Sequence, residues 1–193
     1  MINTFMQKNL PKIYCFVNEF NLSDLSKLSK NISIIYRNYK NINNFDDIYK
    51  LKKFCKYSKN KFFLSNNIRL SVKLGLDGIY IPSFNKQINY IGNFSLPKSF
   101  KIIGSAHNLK EIIVKKKQKC DEIFLSPLFK VNKSEKFLNI SKFNLIALNS
   151  NVSCIALGGI NQKNYKKIKL LKSEGFASIS WAKKNGLSKL RPF

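Results

Sequence analysis

Short apolar runs alternate along this chain with amphipathic stretches of helical spacing, and this repeat constrains the fold more than any other feature. The apolar runs predict eight strands, at residues 13–17, 32–36, 61–64, 78–81, 101–105, 122–125, 154–157 and 175–180. Strands that alternate with helices favour a parallel sheet. Eight units predict an α/β chain closed into a (β/α)8 TIM barrel, with an open doubly wound sheet as the alternative.

The stretches between the runs predict the helices, which we place at residues 24–29, 46–57, 67–74, 108–117, 141–148, 162–174 and 181–190. Within residues 46–57, for example, Ile48, Leu51 and Cys55 fall on one helical face. Residues 83–100 are the least regular part of the chain. Because no linker divides the 193 residues, we predict one barrel domain over residues 1–193.

The chain is strongly basic: 35 Lys and Arg against 10 Asp and Glu give a net charge of +25. Such a charge is the usual footprint of a nucleic-acid binder. Only Arg37, Arg69 and Arg191 are arginines, however, and arginine is preferred for phosphate and base contacts. The lysines are spread along the whole chain, as A/T-rich codons would produce. We therefore interpret them as a solvated coat and expect no nucleic-acid partner, with a polyanion-binding face as the alternative.

Other sequence features bear on the compartment. No run of 18 apolar residues predicts a transmembrane helix, and residues 1–8 do not resemble a signal peptide. Four widely spaced cysteines form no CxxC pair, so we expect buried, unbridged thiols in a reducing, cytoplasmic compartment; they are Cys15, Cys55, Cys120 and Cys154. Nothing in the sequence indicates an oligomeric state, and a homo-oligomer stays open.

Two glycines follow the seventh predicted strand, at Gly158 and Gly159, and the eighth strand ends at Ser180. Glycine lets the backbone come close to a ligand because it has no Cβ. The N–H groups of such a turn suit an anion, and barrels of this class use the last two strand ends to hold a phosphate. We predict a phosphate site here, although a lone Gly-Gly is also an ordinary turn.

The other strand ends, where the active sites of such barrels lie, carry amides, hydroxyls and cations. Ser105 and the single histidine, His107, come at strand five. Histidine can act as a general acid or base near neutral pH, or it can simply bond the backbone at the start of a helix. Arg37 follows strand two and is a candidate phosphate ligand. Asn66 and its neighbour Asn67 could line the pocket or cap the next helix.

Carboxylates are scarce at this rim. Asp77, Asp121 and Glu122 precede their strands, which places them at the opposite end, and only Glu19 and Glu135 could reach the functional face. Because Mg²⁺ usually requires one or two carboxylates, we expect a site for an anionic ligand with no well-built metal cage and no cofactor. Mg²⁺ stays open as an alternative, although its expected carboxylate ligands are absent.

The chain resembles the thiamine phosphate synthase and TenI-like family of (β/α)8 barrels from about Ile13 to Trp181. Five segments carry the resemblance in order, namely residues 64–67 with 75–80, residues 103–107, residues 125–129, residues 156–160 and residues 178–180. The resemblance implies a phosphorylated small-molecule substrate. In the synthases, a hydroxymethylpyrimidine diphosphate loses pyrophosphate and is trapped by a thiazole phosphate.

The resemblance also implies roles for single residues. Arg37 would hold the pyrophosphate, Asn66 would line that site, and Ser105 would lie near the pyrimidine and the pyrophosphate. Gly159 and Ser180 would bind the thiazole phosphate. The family's metal-binding aspartates, however, fall here at Asn67 and Asn85. Charge neutralisation at a departing diphosphate would then fall to lysines, namely Lys40, Lys130 and Lys133.

Three functions follow from these expectations. Synthase activity is our first hypothesis. A metal-independent, TenI-like thiazole tautomerase with His107 as its proton carrier fits the missing carboxylates. The third is a barrel without activity that binds a phosphorylated ligand or nucleic acid.

Overall fold

The computed structural model describes residues 11–41, 44–92, 94–132 and 134–178, and their strands form one closed parallel barrel in sequence order. The strands are β1 Lys12–Val17, β2 Ile32–Tyr36, β3 Phe62–Ser65, β4 Gly78–Ile81, β5 Lys101–Ala106, β6 Glu122–Leu125, β7 Ser153–Leu157 and β8 Gly175–Ser178. Closure is visible where β1 pairs with β2 on one side and with β8 on the other. The predicted barrel is confirmed and the open sheet is excluded.

The helices of the described residues are α1 Leu22–Leu25, α2 Phe45–Ser58, α3 Ile68–Lys73, α4 Leu109–Lys117 and α5 Asn139–Ser150. Four of them begin after an asparagine whose side-chain oxygen accepts a backbone N–H of the first turn: Asn21, Asn44, Asn67 and Asn108. An asparagine in this position satisfies one of the N–H groups that a helix start leaves unpaired. The asparagine-rich sequence therefore sets where these helices start.

The helix predicted over residues 162–174 is wrong in type and length. A short 3-10 helix, Tyr165–Leu170, takes its place. The chain leaves it at Leu171 in an extended conformation, and the next N–H, of Lys172, donates to Asn144 Oδ1 on α5 at 2.7 Å. This long-range bond ties the connection between the 3-10 helix and β8 to α5.

Two helix bounds also differ from prediction. The helix expected at residues 24–29 is the single turn α1, and α5 is longer at both ends than residues 141–148. The predicted helix 181–190 and two site residues, Lys133 and Ser180, lie outside the described residues.

The core has two parts. Apolar side chains between the strands and the helices form the larger part, and the barrel interior is the smaller. Alternate strand positions fill the interior with ten residues, five of them aromatic: Tyr14, Phe16, Ile35, Phe63, Tyr80, Ile103, Phe124, Ile155, Leu157 and Ala177. Because the rings meet edge to face, for example Phe16 and Tyr80 with centroids 5.2 Å apart, the barrel is packed rather than hollow.

All four cysteines are buried thiols, as predicted, and burial raises the pKa of Cys55 and of Cys120 to about 12. Among the described residues, no helix combines the length and the apolar character needed to cross a bilayer.

Candidate active site at the mouth of the barrel

Arg37 lies at the carboxyl end of β2, where its backbone N–H donates to Val17 O at 2.8 Å. Its guanidinium carbon lies 4.5 Å from the centre of the Phe16 ring and 5.6 Å from that of Tyr39. A guanidinium over an aromatic face is held by cation–π attraction. No carboxylate of the described residues pairs with it. Arg37 is therefore a half-buried, positioned cation with its charge available to an anion.

A pair of hydroxyls lies in the upper barrel interior. Tyr80 of β4 donates to Ser105 Oγ of β5 at 2.9 Å, and both residues are buried. Burial raises the pKa of Tyr80, while the neighbouring Arg37 acts in the opposite direction. Tyr80 therefore remains a neutral phenol that donates its proton. Since the Ser105 oxygen accepts this bond, its own O–H remains a donor.

His107 follows β5 and is held through both ring nitrogens. Its Nδ1 lies 2.7 Å from the carbonyl oxygen of Ser126, and its Nε2 lies 3.2 Å from Ser83 Oγ. A carbonyl can only accept, so the proton of the neutral ring sits on Nδ1, and Nε2 accepts from the Ser83 hydroxyl. Of the two roles considered for His107, the bond to backbone is present at Nδ1, and the role as a general acid or base stays a prediction.

Asn66, Asn67 and Asn85 occupy the region where the family resemblance places a metal. Asn67 caps α3 by accepting from Leu70 N at 3.0 Å. Asn85 accepts from Gln87 N at 3.0 Å and donates to Asn66 Oδ1 at 2.7 Å. Their amide oxygens each accept a hydrogen bond and carry no charge, so these residues lack the carboxylates that Mg²⁺ usually requires. Of the two roles considered for the Asn66–Asn67 pair, capping belongs to Asn67.

Both glycines of the β7 turn adopt left-handed backbone conformations, with φ of 95° at Gly158 and 71° at Gly159. A Cβ on Gly159 would lie 2.6 Å from Phe129 O and 2.7 Å from Lys130 O. The loop after β6 therefore occupies the space that the missing side chains leave. Packing alone requires these glycines, and their role in binding a phosphate stays a prediction, as does that of Ser180.

Two of the acidic residues, Asp77 and Asp121, lie where the sequence predicted. Asp77 accepts from Phe62 N at 2.9 Å and Asp121 accepts from Ile102 N at 2.8 Å, both at the amino ends of strands. Within the part of the chain that the structure describes, no three His, Cys, Asp or Glu side chains converge as a metal centre would require.

Sequence reasoning gave no role to several aromatic residues of the mouth. Tyr80 shares the Ser105 hydroxyl, and the rings of Tyr39 and Phe84 meet edge to face with centroids 5.5 Å apart. Burial raises the pKa of Tyr39 to about 12. The sequence did contain a signal for Tyr80. Alternate residues of a barrel strand point inward, and Tyr80 lies two residues after Gly78, which begins β4, so the two share a face. Nothing local indicates the Tyr39–Phe84 contact, which joins two loops.

Comparison with known proteins places these features in a family. The family model described as thiamine monophosphate synthase (TMP-TENI) matches residues 28–182. Thiamine-phosphate synthases of two strains of Prochlorococcus marinus are 28% and 30% identical over 134 and 123 residues. These alignments cover 68% and 62% of this chain but only 37% and 35% of those proteins. The chain thus spans little more than a third of the length of these relatives.

Solved structures show the same barrel. Thiamine phosphate pyrophosphorylase from Pyrococcus furiosus superposes with a TM-score of 0.72 at 16% identity, covering 93% of this chain and 91% of that one. The pyrophosphorylase from Bacteroides thetaiotaomicron gives 0.59 at 18% identity, covering 89% and 83%. At these identities the likeness shows the fold alone.

Proposed function

This chain belongs to the thiamine monophosphate synthase family, and we propose that it joins a hydroxymethylpyrimidine diphosphate to a thiazole phosphate. In this reaction the bond between the pyrimidine methylene carbon and the diphosphate oxygen breaks, and pyrophosphate leaves with the electron pair. The thiazole nitrogen then forms the new C–N bond. The observation that carries the proposal is the Arg37 guanidinium at the barrel mouth, which no carboxylate of the described residues neutralises.

Arg37 would bind the diphosphate and stabilise the charge that develops as it leaves. Its guanidinium is fixed over Phe16 and can donate two parallel hydrogen bonds to a phosphate. Donors positioned in advance stabilise a developing negative charge without having to reorganise. Lys40, which follows β2, and Lys130, which follows β6, are both exposed and would add positive charge.

Ser105 would orient the substrate. Its hydroxyl accepts from Tyr80, which leaves the Ser105 proton directed to a further acceptor. A buried hydroxyl pair of this kind suits a pyrimidine nitrogen or a diphosphate oxygen. Asn66 would contribute an amide at the same side, and Gly158, Gly159 and Ser180 would hold the thiazole phosphate.

The proposal contains no step through a metal. The two amides at the family's metal positions do not fit a divalent cation, because one caps a helix and the other bonds Gln87. Cationic side chains would supply the neutralisation instead, so we expect the reaction to persist when Mg²⁺ is chelated.

A thiazole phosphate tautomerase is the second candidate, and the geometry of His107 favours it. The bond from Nδ1 to Ser126 O fixes the tautomer, and Nε2 lies within hydrogen-bonding distance of the Ser83 hydroxyl. A histidine held in this way can remove a proton from one carbon and return it to another atom of the same substrate.

One assay separates the candidates. The protein is incubated with both substrates, with Mg²⁺ and with a chelator, and pyrophosphate release is followed. Release supports the synthase. No release, together with proton exchange on the thiazole phosphate that disappears in His107→Ala, supports the tautomerase. Absence of both reactions contradicts both. A steep salt dependence of polynucleotide binding would then favour the third hypothesis.

A further inference from the structure

Lys115 on α4 is completely buried although it carries an ammonium group. Its Nζ donates to three oxygens, Pro82 O at 2.6 Å, Asn85 O at 2.8 Å and Gln118 Oε1 at 2.9 Å. An ammonium has three N–H donors, and all three are satisfied here. A lysine is almost never fully buried unless it is partnered in this way.

The barrel wall makes room for this side chain. Gly104 of β5 faces α4, and a Cβ at this position would lie 2.9 Å from Lys115 Cδ and 2.8 Å from Cys120 Sγ. The lysine stem therefore crosses the strand where the side chain is missing, and it delivers the ammonium to the segment that follows β4.

Gln118, one turn further along the chain from Lys115, strengthens the same contact. Its Nε2 donates to Asn85 O at 3.1 Å and to Gln87 O at 2.9 Å, and it is also completely buried. Two side chains from α4 and its C-terminal cap thus hold the backbone of residues 82–87, which has no helix or strand of its own.

The segment held in this way forms one side of the mouth. Ser83 Oγ contacts His107 Nε2 at 3.2 Å, and Asn85 Nδ2 donates to Asn66 Oδ1 at 2.7 Å. Phe84, between them, meets the ring of Tyr39, which lies beside Arg37. A shift of residues 82–87 would therefore disturb each of these contacts together.

We infer that Lys115 is a positioning residue of the mouth: its buried ammonium holds residues 82–87 so that Ser83 meets His107 and Asn85 meets Asn66. Its effect on catalysis rests on the proposed function, whereas its effect on the geometry does not. Lys115 acts on the segment through the backbone carbonyls of Pro82 and Asn85.

The charge of Lys115 matters to this role. Burial lowers the pKa of Lys115 to about 8, and Cys120 and Glu111 act in the opposite direction. Apart from these two groups, it faces Gln118 and the two carbonyls of the segment. A neutral amine has only two N–H donors for the three oxygens, so the segment should loosen as the pH rises through this pKa.

The single histidine provides a direct reporter, because its imidazole gives one NMR signal without competition. We compare Lys115→Met with Lys117→Met, an exposed position on the same helix. At pH 7, Lys115→Met should move the His107 signal and speed exchange of the Asn85 and Gln87 amides at least tenfold, and Lys117→Met should do neither. Identical behaviour of the two variants overturns the inference.

Wild-type protein provides the same test if Lys115→Met does not fold. The Ser83 and Asn85 amide signals should move between pH 7 and pH 9.5 with a midpoint of about 8, and signals that stay constant overturn the inference.

Where the wild type releases pyrophosphate, Lys115→Met should lower kcat by about tenfold at an unchanged KM. An unchanged kcat overturns the catalytic part. Because the NMR measurements need no substrate, they separate this inference from the proposed function.

Discussion

The two ends of the barrel differ in how their charged side chains are paired. At the amino end, Lys12 donates to Glu122 Oε1 at 2.7 Å and also pairs with Glu174, and Tyr14 donates to the second oxygen of Glu122. At the mouth, Arg37 has no acidic partner among the residues described. Charges that are paired inside the molecule contribute to stability, whereas a fixed cation without an acidic partner is available to a ligand. The comparison therefore assigns stability to the amino end and, under the proposed function, binding to the mouth, as barrels of this class divide them.

The largest effect we expect is the loss of activity in Arg37→Met. Removing one positioned donor from a developing negative charge typically lowers kcat by about 10²-fold or more. Pyrophosphate release measures this loss, and thermal unfolding should show little change because Arg37 forms no ion pair within the described part of the chain. Arg69→Met, at an exposed position on α3, is the matched control. Equal activity in the two variants would remove Arg37 from the mechanism.

At the amino end, we expect substitutions to lower stability instead of activity. Glu122→Leu leaves the buried Tyr14 hydroxyl and one side of Lys12 without a partner, so we expect the free energy of unfolding to fall by about 3 kcal/mol. Denaturant unfolding measures it. Glu174→Leu removes the half-exposed partner of the same lysine, and it should lower stability by less than about 1 kcal/mol. Equal losses would mean that burial does not distinguish the two carboxylates.

The paired end also predicts a pH dependence. The bond from Lys12 lowers the pKa of Glu174 below its ordinary value, against the opposing effect of burial. Such a carboxylate stabilises the folded state above the unfolded pKa of about 4.3, and this contribution is lost as the pH falls through the folded pKa. Glu174→Gln should therefore make stability less dependent on pH between about pH 5 and pH 3. Parallel unfolding curves for wild type and variant would contradict the assignment.

The smallest effect concerns the helix cap at the edge of the mouth. Asn67→Ala removes the bond to Leu70 N and should lower stability by about 1 kcal/mol, whereas Asn67→Asp, an equally good cap, should leave it within about 0.5 kcal/mol. Thermal unfolding compares the two variants. A large loss in Asn67→Asp would show that the uncharged amide itself is required at this position.

The fold could be predicted from local patterns because those patterns cause it. The apolar runs match the eight strands to within one residue at every bound that the structure describes, apart from the end of β8. Helix starts follow asparagine caps that the sequence displays. The helix predicted at residues 162–174 was wrong because the chain leaves the helical conformation at Leu171 and the next N–H, of Lys172, bonds Asn144 on another helix. A single-sequence pattern does not contain such a contact.

Prediction of the site was limited in the same way, because a single-sequence pattern does not contain contacts between distant residues. Arg37, Ser105 and His107 were placed at the mouth because strand ends meet there, and the structure agrees with their position. Sequence analysis did not single out Lys115 because it begins a run of three lysines. Its spacing from Ile112 nevertheless puts it on the buried face of α4. Its partners are carbonyls some thirty residues earlier in the chain, and no residue type marks a carbonyl as an acceptor.

Calorimetric binding of inorganic pyrophosphate tests the difference between the two ends most directly. Wild type and Glu122→Leu, if folded, should bind it equally, and Arg37→Met should bind it at least tenfold more weakly at the same salt concentration. Equal affinity in Arg37→Met and Arg69→Met would contradict the assignment of the mouth cation to a diphosphate.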